Sequence, residues 1–256
     1  MNKKIKILSP ATEVSMADEW FDIASTDHFW MKWRFNVIKR SLTGLSALIP
    51  GKRYLEIGCG HGQFLKQSDE QLNIITDGCD LNLFALKKIE RVKGDVFVYD
   101  IAHKNPEMLN RYEGIFLLDV IEHIDDDRSF LAMSTDHLGK EGLVVINVPA
   151  LQSLFSKYDV VAGHKRRYKL EDFEVLFDQC GIELLDVHYW GFLMIPLALA
   201  RKIYLKFISR DKVIEKGFKP PHAFINSLFM AVMKIEMILF RNPPFGTSIV
   251  AIGRKK

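Results

Sequence analysis

Cysteine is scarce in this chain. The three present, Cys59, Cys79 and Cys180, are scattered with no C-x-x-C pair, which suits a reducing compartment better than a disulfide framework. A strong excess of one charge is also missing. The net charge is +3, no footprint for a nucleic-acid binder, so no nucleic-acid partner is expected. Long apolar runs are lacking too. The longest, residues 189–200 (YWGFLMIPLALA), contains Pro196 and is stopped by Arg201 and Lys202, whereas a spanning helix needs about 20 apolar residues. The opening MNKKIKILSPATEV is basic but has no apolar stretch fit for a signal peptide. Internal repeats and low-complexity segments are absent. The expectation is a cytoplasmic protein with no transmembrane span.

What remains is an ordinary globular composition of 48% hydrophobic and 26% charged residues. A length of 256 residues fits one large domain, or one domain with an insertion. Short apolar runs rich in β-branched residues alternate with longer helical patterns. Strands are expected at 54–57, 74–79, 96–99, 114–118 and 143–148, with helices between them at 82–91 and 126–137. Continuous apolar strands separated by helices imply a parallel sheet covered on both faces, an α/β doubly wound fold. Residues 1–50 read as an N-terminal helical cap, with helix over most of 15–49. A further strand at 182–187 precedes an apolar, helical insertion at about 193–243, and 246–253 reads as a closing strand. Pro196 suits the first turn of one insertion helix, and Pro220–Pro221 the start of a second. Residues 51–256 are thus one domain carrying that insertion.

The stretch YLEIGCGHGQF, residues 54–64, carries the chemistry. Gly58, Gly60 and Gly62 lie between a strand and a helix, where glycine lets backbone approach a ligand. The dinucleotide fingerprint G-x-G-x-x-G/A fails at Gln63. Glu56, at the strand end, would repel a pyrophosphate and suits a positive ligand. S-adenosylmethionine, with an ammonium, a sulfonium and no phosphate, answers to that. The second strand ends at Asp80, 22 residues after Gly58, the place of an acid that takes both ribose hydroxyls. Asp100, ending the third strand, can accept from an adenine amino group, with Ile101 against the ring. Asp119 ends the fourth.

In order and spacing, LEIGCGHG, CDLN, YDI, LLDVIEHI and VVINVPA resemble the class I S-adenosylmethionine-dependent methyltransferases over about residues 52–150. The likeness extends toward a bacterial small-molecule branch at HFW…R (28–34), GHKRRY (163–168) and PFGTSIVAIGRK. The resemblance implies a seven-stranded, mostly parallel Rossmann-like sheet with a reversed final hairpin. It places the cofactor across the strand C-termini, with Glu56, Gly58 and Gly60 at the methionine end, helped by Cys59 and Gly62. Asp80 with Leu81 would hold the ribose, and Asp100 with Ile101 the adenine. Asp119 and Val120 would lie beside the sulfonium.

Simpler roles compete with these. Glu56 could pair with a lysine, Cys59 could only fill its turn, and Asp80 could cap the helix that follows it. His123 lies among five carboxylates between Asp119 and Asp127. It is a loop-pinning residue or a general base, and the acids at 125–127 suit a helix start. In GHKRRY, His164, Arg166, Arg167 and Tyr168 are either a solvated turn or contacts to substrate phosphate or carboxylate. Trp30 in HFW…R belongs to a packed helix or to a lid that touches substrate. The insertion packs on the core, forms a homodimer or meets lipid. Its residues 199–219 hold seven Lys/Arg against two Asp/Glu, a basic stripe suited to the inner membrane face.

The expected activity is methyl transfer from S-adenosylmethionine to a small-molecule substrate. An oxygen acceptor on a lipid-linked or sugar-containing intermediate is favoured, with His123, His164 or Tyr168 as base. A nicotinamide-dependent oxidoreductase and a non-catalytic S-adenosylmethionine-binding protein are the alternatives. No metal-ligand spacing stands out.

Overall fold

A computed structural model describes residues 4–12, 28–219 and 222–256. The described residues build one eight-stranded sheet. In chain order its strands are β1 (Ile5–Ile7), β2 (Arg53–Ile57), β3 (Ile75–Asp80), β4 (Val96–Val98), β5 (Tyr112–Leu118), β6 (Leu138–Pro149), β7 (Ile182–Trp190) and β8 (Ser248–Lys255). Across the sheet the order is β1-β4-β3-β2-β5-β6-β8-β7. Pairings are parallel from β1 to β6, while β8 runs antiparallel between β6 and β7. This is the expected Rossmann-like methyltransferase topology with its reversed last strand.

Strand alternation sets the two cores. Leu55, Ile57, Ile115, Leu117, Val144 and Ile146 enter one apolar cluster, and Tyr54, Phe116, Leu118, Leu143 and Val145 the opposite one. Successive side chains on a strand point to opposite faces, so a strand covered twice is apolar throughout. Helices α1 (Phe29–Gly44) and α2 (Gln63–Gln71) contribute to the cluster on the Tyr54 face. The short α3 (Leu83–Lys87) follows β3. Helices α4 (Asp127–Thr135) and α6 (Leu170–Gln179) contribute to the opposite cluster, with α5 (Lys157–Ala162) preceding α6. Asn82 caps α3 and Asp126 caps α4, each accepting a backbone amide in the first turn.

Two expectations change. The sheet has eight strands rather than seven, because residues 5–7, assigned to a helical cap, pair with β4 at the sheet edge. Three residues are too few to carry a readable alternation. The strand is fixed from outside, by Lys6 Nζ at 3.2 Å from Asp95 and 5.5 Å from the centre of the Phe97 ring. The helix expected over 15–49 is found from Phe29 onward; residues 13–27, and Pro220–Pro221, lie outside the described residues.

Between β7 and β8 the chain forms α7 (Ile195–Lys206, with Pro196 in its first turn), α8 (Val213–Phe218) and α9 (Ala223–Leu239). Helix α9 is tied to the sheet layer at several points. Buried Glu236 accepts the amides of Gly191 at 2.7 Å and Leu193 at 2.8 Å. Arg40 of α1 donates to the carbonyls of Met237 and Arg241 at the end of α9. Among the described residues no single helix is long and apolar enough to cross a membrane.

Candidate active site

The sheet order reverses between β2 and β5, and a cavity of about 410 Å³ opens there at the strand C-termini. Its walls hold Glu56, Gly58, Cys59 and Gly60 from the end of β2 and the loop that follows. Asp80 and Leu81 come from β3, Asp100 and Ile101 follow β4, and Asp119 and Val120 follow β5. Each of these was expected from sequence. Gly62 instead caps α2 with φ +77°, a left-handed turn open to glycine. Gly58 has φ +75°, and a Cβ there would sit 2.6 Å from Val120 Cγ2. Only bare backbone fits between the two loops.

Glu56 is 3% exposed, and its Oε2 has no hydrogen-bond partner among the described residues. Burial pushes its carboxyl up to about 8; Arg34 opposes this, while Asp80 and Asp119 add to it. A buried acid with an unused oxygen facing a cavity is a receptor for a cation. Asp80 is fixed differently. Its Oδ2 accepts the Gly60 amide and its Oδ1 the Asn82 amide, both at 2.8 Å. Asn82, not Asp80, caps α3. A carboxylate offers about four acceptor sites, so Asp80 keeps acceptor capacity toward the cavity. Asp100 accepts the Ala102 amide at 2.9 Å, and Asp95 lies elsewhere, paired with Lys6. Cys59 is buried, with its thiol pushed up well above its usual range by burial and then by Asp80. It is a turn filler rather than a nucleophile.

Asp119 stands at φ +60° and binds two neighbours. Arg34 Nη1 reaches Oδ2 at 2.6 Å, and Asn147 Nδ2 reaches Oδ1 at 2.6 Å. Asn147 in turn accepts from Trp190 Nε1 at 3.0 Å. Beyond Asp119 the chain makes a 3-10 turn, Ile121–His123. Glu122 is 0% exposed, with no partner on either carboxylate oxygen among the described residues. His123 lines the cavity and hydrogen-bonds the Gly163 carbonyl. The His164 ring stands edge-on to it at 4.8 Å, and His164 Nδ1 meets Asp159 Oδ1 at 3.0 Å. The ligand atoms of Glu122, His123 and His164 lie within 4.8 Å of one another. No sequence spacing announced that grouping, because His164 comes from beyond β6.

A methyltransferase-domain family profile matches residues 30–187, more than half of the chain. The chain belongs to that family. It is an S-adenosylmethionine-dependent methyltransferase, and Glu56, the bare-backbone turn and Asp80 are chemically suited to that cofactor. Among solved structures, a SAM-dependent methyltransferase from Archaeoglobus fulgidus is 20% identical with a TM-score of 0.53, over 88% of this chain and 96% of that one. Phosphoethanolamine N-methyltransferase 2 of Haemonchus contortus, solved with phosphomonomethylethanolamine and S-adenosylhomocysteine, is 19% identical with a TM-score of 0.51. That match covers 81% of this chain and 49% of that one. The [4+2]-cyclase SpnF is 15% identical with a TM-score of 0.54, over 84% and 80%. No curated protein matches the chain. Membership in this family sets the nicotinamide alternative aside.

In this methyltransferase the side chains expected on the acceptor side are largely bound to other parts of the protein. Tyr168 is 3% exposed and donates to Asp127 Oδ2 at 2.7 Å and the Ile121 carbonyl at 3.2 Å. Burial and Asp127 push its hydroxyl far above the usual range. It holds the loop. Arg166 donates to Asp127 and to the carbonyls of Ile124 and Asp125. Arg167 binds Asp159 and the Ala150 carbonyl. Both guanidiniums are committed to the protein. Trp30 packs at 4.6 Å from Trp190 and 6.2 Å from Trp33, and does not line the cavity. His123 is pulled down to about 3 by burial and then by His164. A group so far from neutrality is a poor general base. Arg34, His61 and Gln63 also line the cavity. Their signal in the sequence was position alone, beside HFW and inside the glycine loop.

Proposed function

We propose that this enzyme transfers a methyl group from S-adenosylmethionine to a hydroxyl of a small molecule, a sugar-containing or lipid-linked intermediate met at a membrane surface. The observation that carries the lipid reading is the outer face of the insertion. Leu199, Ile203 and Phe207 along α7, and Phe224, Leu228, Ile235 and Leu239 along α9, are exposed at helical spacing. Exposed Lys206, Arg210, Lys212 and Lys216 lie in the same segment. An apolar stripe with basic neighbours suits an anionic bilayer surface.

Bound S-adenosylmethionine supplies a methyl group on a sulfonium that is already a good leaving group. The protein aligns and shields. Glu56 takes the ammonium, Asp80 the ribose hydroxyls, and Asp100 with Ile101 the adenine. Arg34 holds Asp119 and keeps the floor of the cavity rigid. Positioning of this kind is worth on the order of 7–11 kcal/mol of barrier.

The test is incubation of the protein with methyl-labelled S-adenosylmethionine and membrane extract. Alkali-stable label in the organic-soluble fraction is expected, since a methyl ether survives alkali. Label confined to the aqueous fraction would end the lipid reading. A second measurement is co-sedimentation with vesicles containing phosphatidylserine. Binding should fall when Phe207 and Phe224 are both changed to Ser.

A further inference from the structure

We propose that Glu122, His123 and His164 form a binding site for one divalent first-row transition-metal ion at the acceptor end of the cavity. Three independent features converge on it. The first is Glu122, a fully buried carboxyl with neither oxygen partnered among the described residues. Leaving such a group unpaired in a native interior is costly. It lies next in sequence to His123, which lines the cavity wall.

The second feature is the way both imidazoles are held from behind. His164 presents Nδ1 to Asp159, which leaves Nε2 as the nitrogen for an ion. Asp159 is itself fixed by the Ser156 amide at 2.8 Å and by Arg167 Nε at 2.8 Å. His123 has one ring nitrogen on the Gly163 carbonyl. A carboxylate or carbonyl behind the outer nitrogen is the arrangement that orients metal-ligating histidines. The third feature is backbone bracing. Lys165 donates its amide to the Glu122 carbonyl at 2.7 Å, locking the two chain segments together at the cluster.

Donor atoms within 4.8 Å of one another need a closing movement of under about 1 Å to meet an ion at bond lengths of about 2.1 Å. That is within side-chain rotation. Two imidazoles and one carboxylate favour Zn²⁺, Fe²⁺ or Co²⁺ over Mg²⁺ or Ca²⁺, which prefer all-oxygen sets. Three protein ligands leave coordination positions open. In the role that follows from the proposed oxygen acceptor, an open position binds the acceptor hydroxyl and lowers its pKa, the proton leaving to solvent. No strong protein base is then required.

The experiment uses the full chain, stripped with EDTA and titrated with Co²⁺. Visible d–d absorption should saturate at one Co²⁺ per chain and be displaced by Zn²⁺. Glu122→Gln and His164→Ala should each weaken Co²⁺ binding by at least about tenfold. Affinity for S-adenosylhomocysteine, measured by calorimetry on the same samples, should change less than about threefold and reports the fold. Glu122→Gln removes only an ionisable oxygen, so the metal-free variant should melt no lower than wild type. A wild-type protein that binds S-adenosylhomocysteine but gives no Co²⁺ absorption overturns the proposal. So does absorption that both variants retain. Failure of the cofactor reading shows separately, as loss of S-adenosylhomocysteine binding in wild type.

Discussion

Arg34 and Asp119 form an ion pair at 2.6 Å that joins α1 to the tip of β5, with the arginine 5% exposed and the aspartate side chain 30% exposed. Arg34 is also the cation that opposes the upward shift of Glu56. Replacing it with Met should destabilise the fold by about 2–3 kcal/mol in urea unfolding, below the roughly 3–5 kcal/mol of a fully enclosed pair because Asp119 keeps some water. Cofactor affinity should fall with it.

Glu56 predicts a pH dependence. Its folded carboxyl sits at about 8, above its usual 4.5. The ligand-free protein therefore carries a proton there at neutral pH, and a ligand ammonium must displace it. S-adenosylhomocysteine affinity should rise by up to about tenfold per pH unit between about pH 6 and 8, then level off. Glu56→Gln should bind more weakly and flatten the profile. The same raised value means that Glu56 supports stability fully below pH 4.5 and that this support is lost as pH rises through 8. Melting temperature in Glu56→Gln should lose that slope.

Asp80 accepts two backbone amides and retains acceptor sites toward the cavity. Asp80→Asn replaces one acceptor with a donor facing an amide. Loss of charged hydrogen bonds worth about 1.5–3 kcal/mol corresponds to roughly 10–150-fold weaker S-adenosylhomocysteine binding by calorimetry.

Tyr168→Phe separates loop support from base catalysis. Removing bonds to Asp127 and Ile121 should lower stability by about 1–2 kcal/mol. Methyl transfer should fall by less than about tenfold, whereas removal of a true base gives about 10²–10⁴-fold. A larger loss of kcat with unchanged melting would return Tyr168 to the chemistry.

The cavity wall at the strand ends was legible in the sequence because its determinants are local. Glu56, Gly58 and Asp80 announce themselves by sitting at strand ends and in a turn. The acceptor half was not. Arg166, Arg167 and Tyr168 read as reaching outward because residue type says nothing of partners, yet Arg166 and Tyr168 bind the segment after β5 and Arg167 binds Asp159 and the Ala150 carbonyl. The cluster at Glu122 needs residues from beyond two different strands, a meeting that only the crossover after β6 brings about. β1 was missed because a three-residue edge strand is defined by its neighbour rather than by its own pattern.

The strand β8 lies between β6 and β7 although both precede it in the chain. A ribosome delivers β6 and β7 first, and neither can pair with the other across the vacant lane. Until residues 248–255 emerge, the facing edges of β6 and β7 stay unpaired, an invitation to chaperones and to aggregation. The strand that carries Asn147, the residue donating to the cavity-wall residue Asp119, is therefore completed by a segment that does not line that cavity.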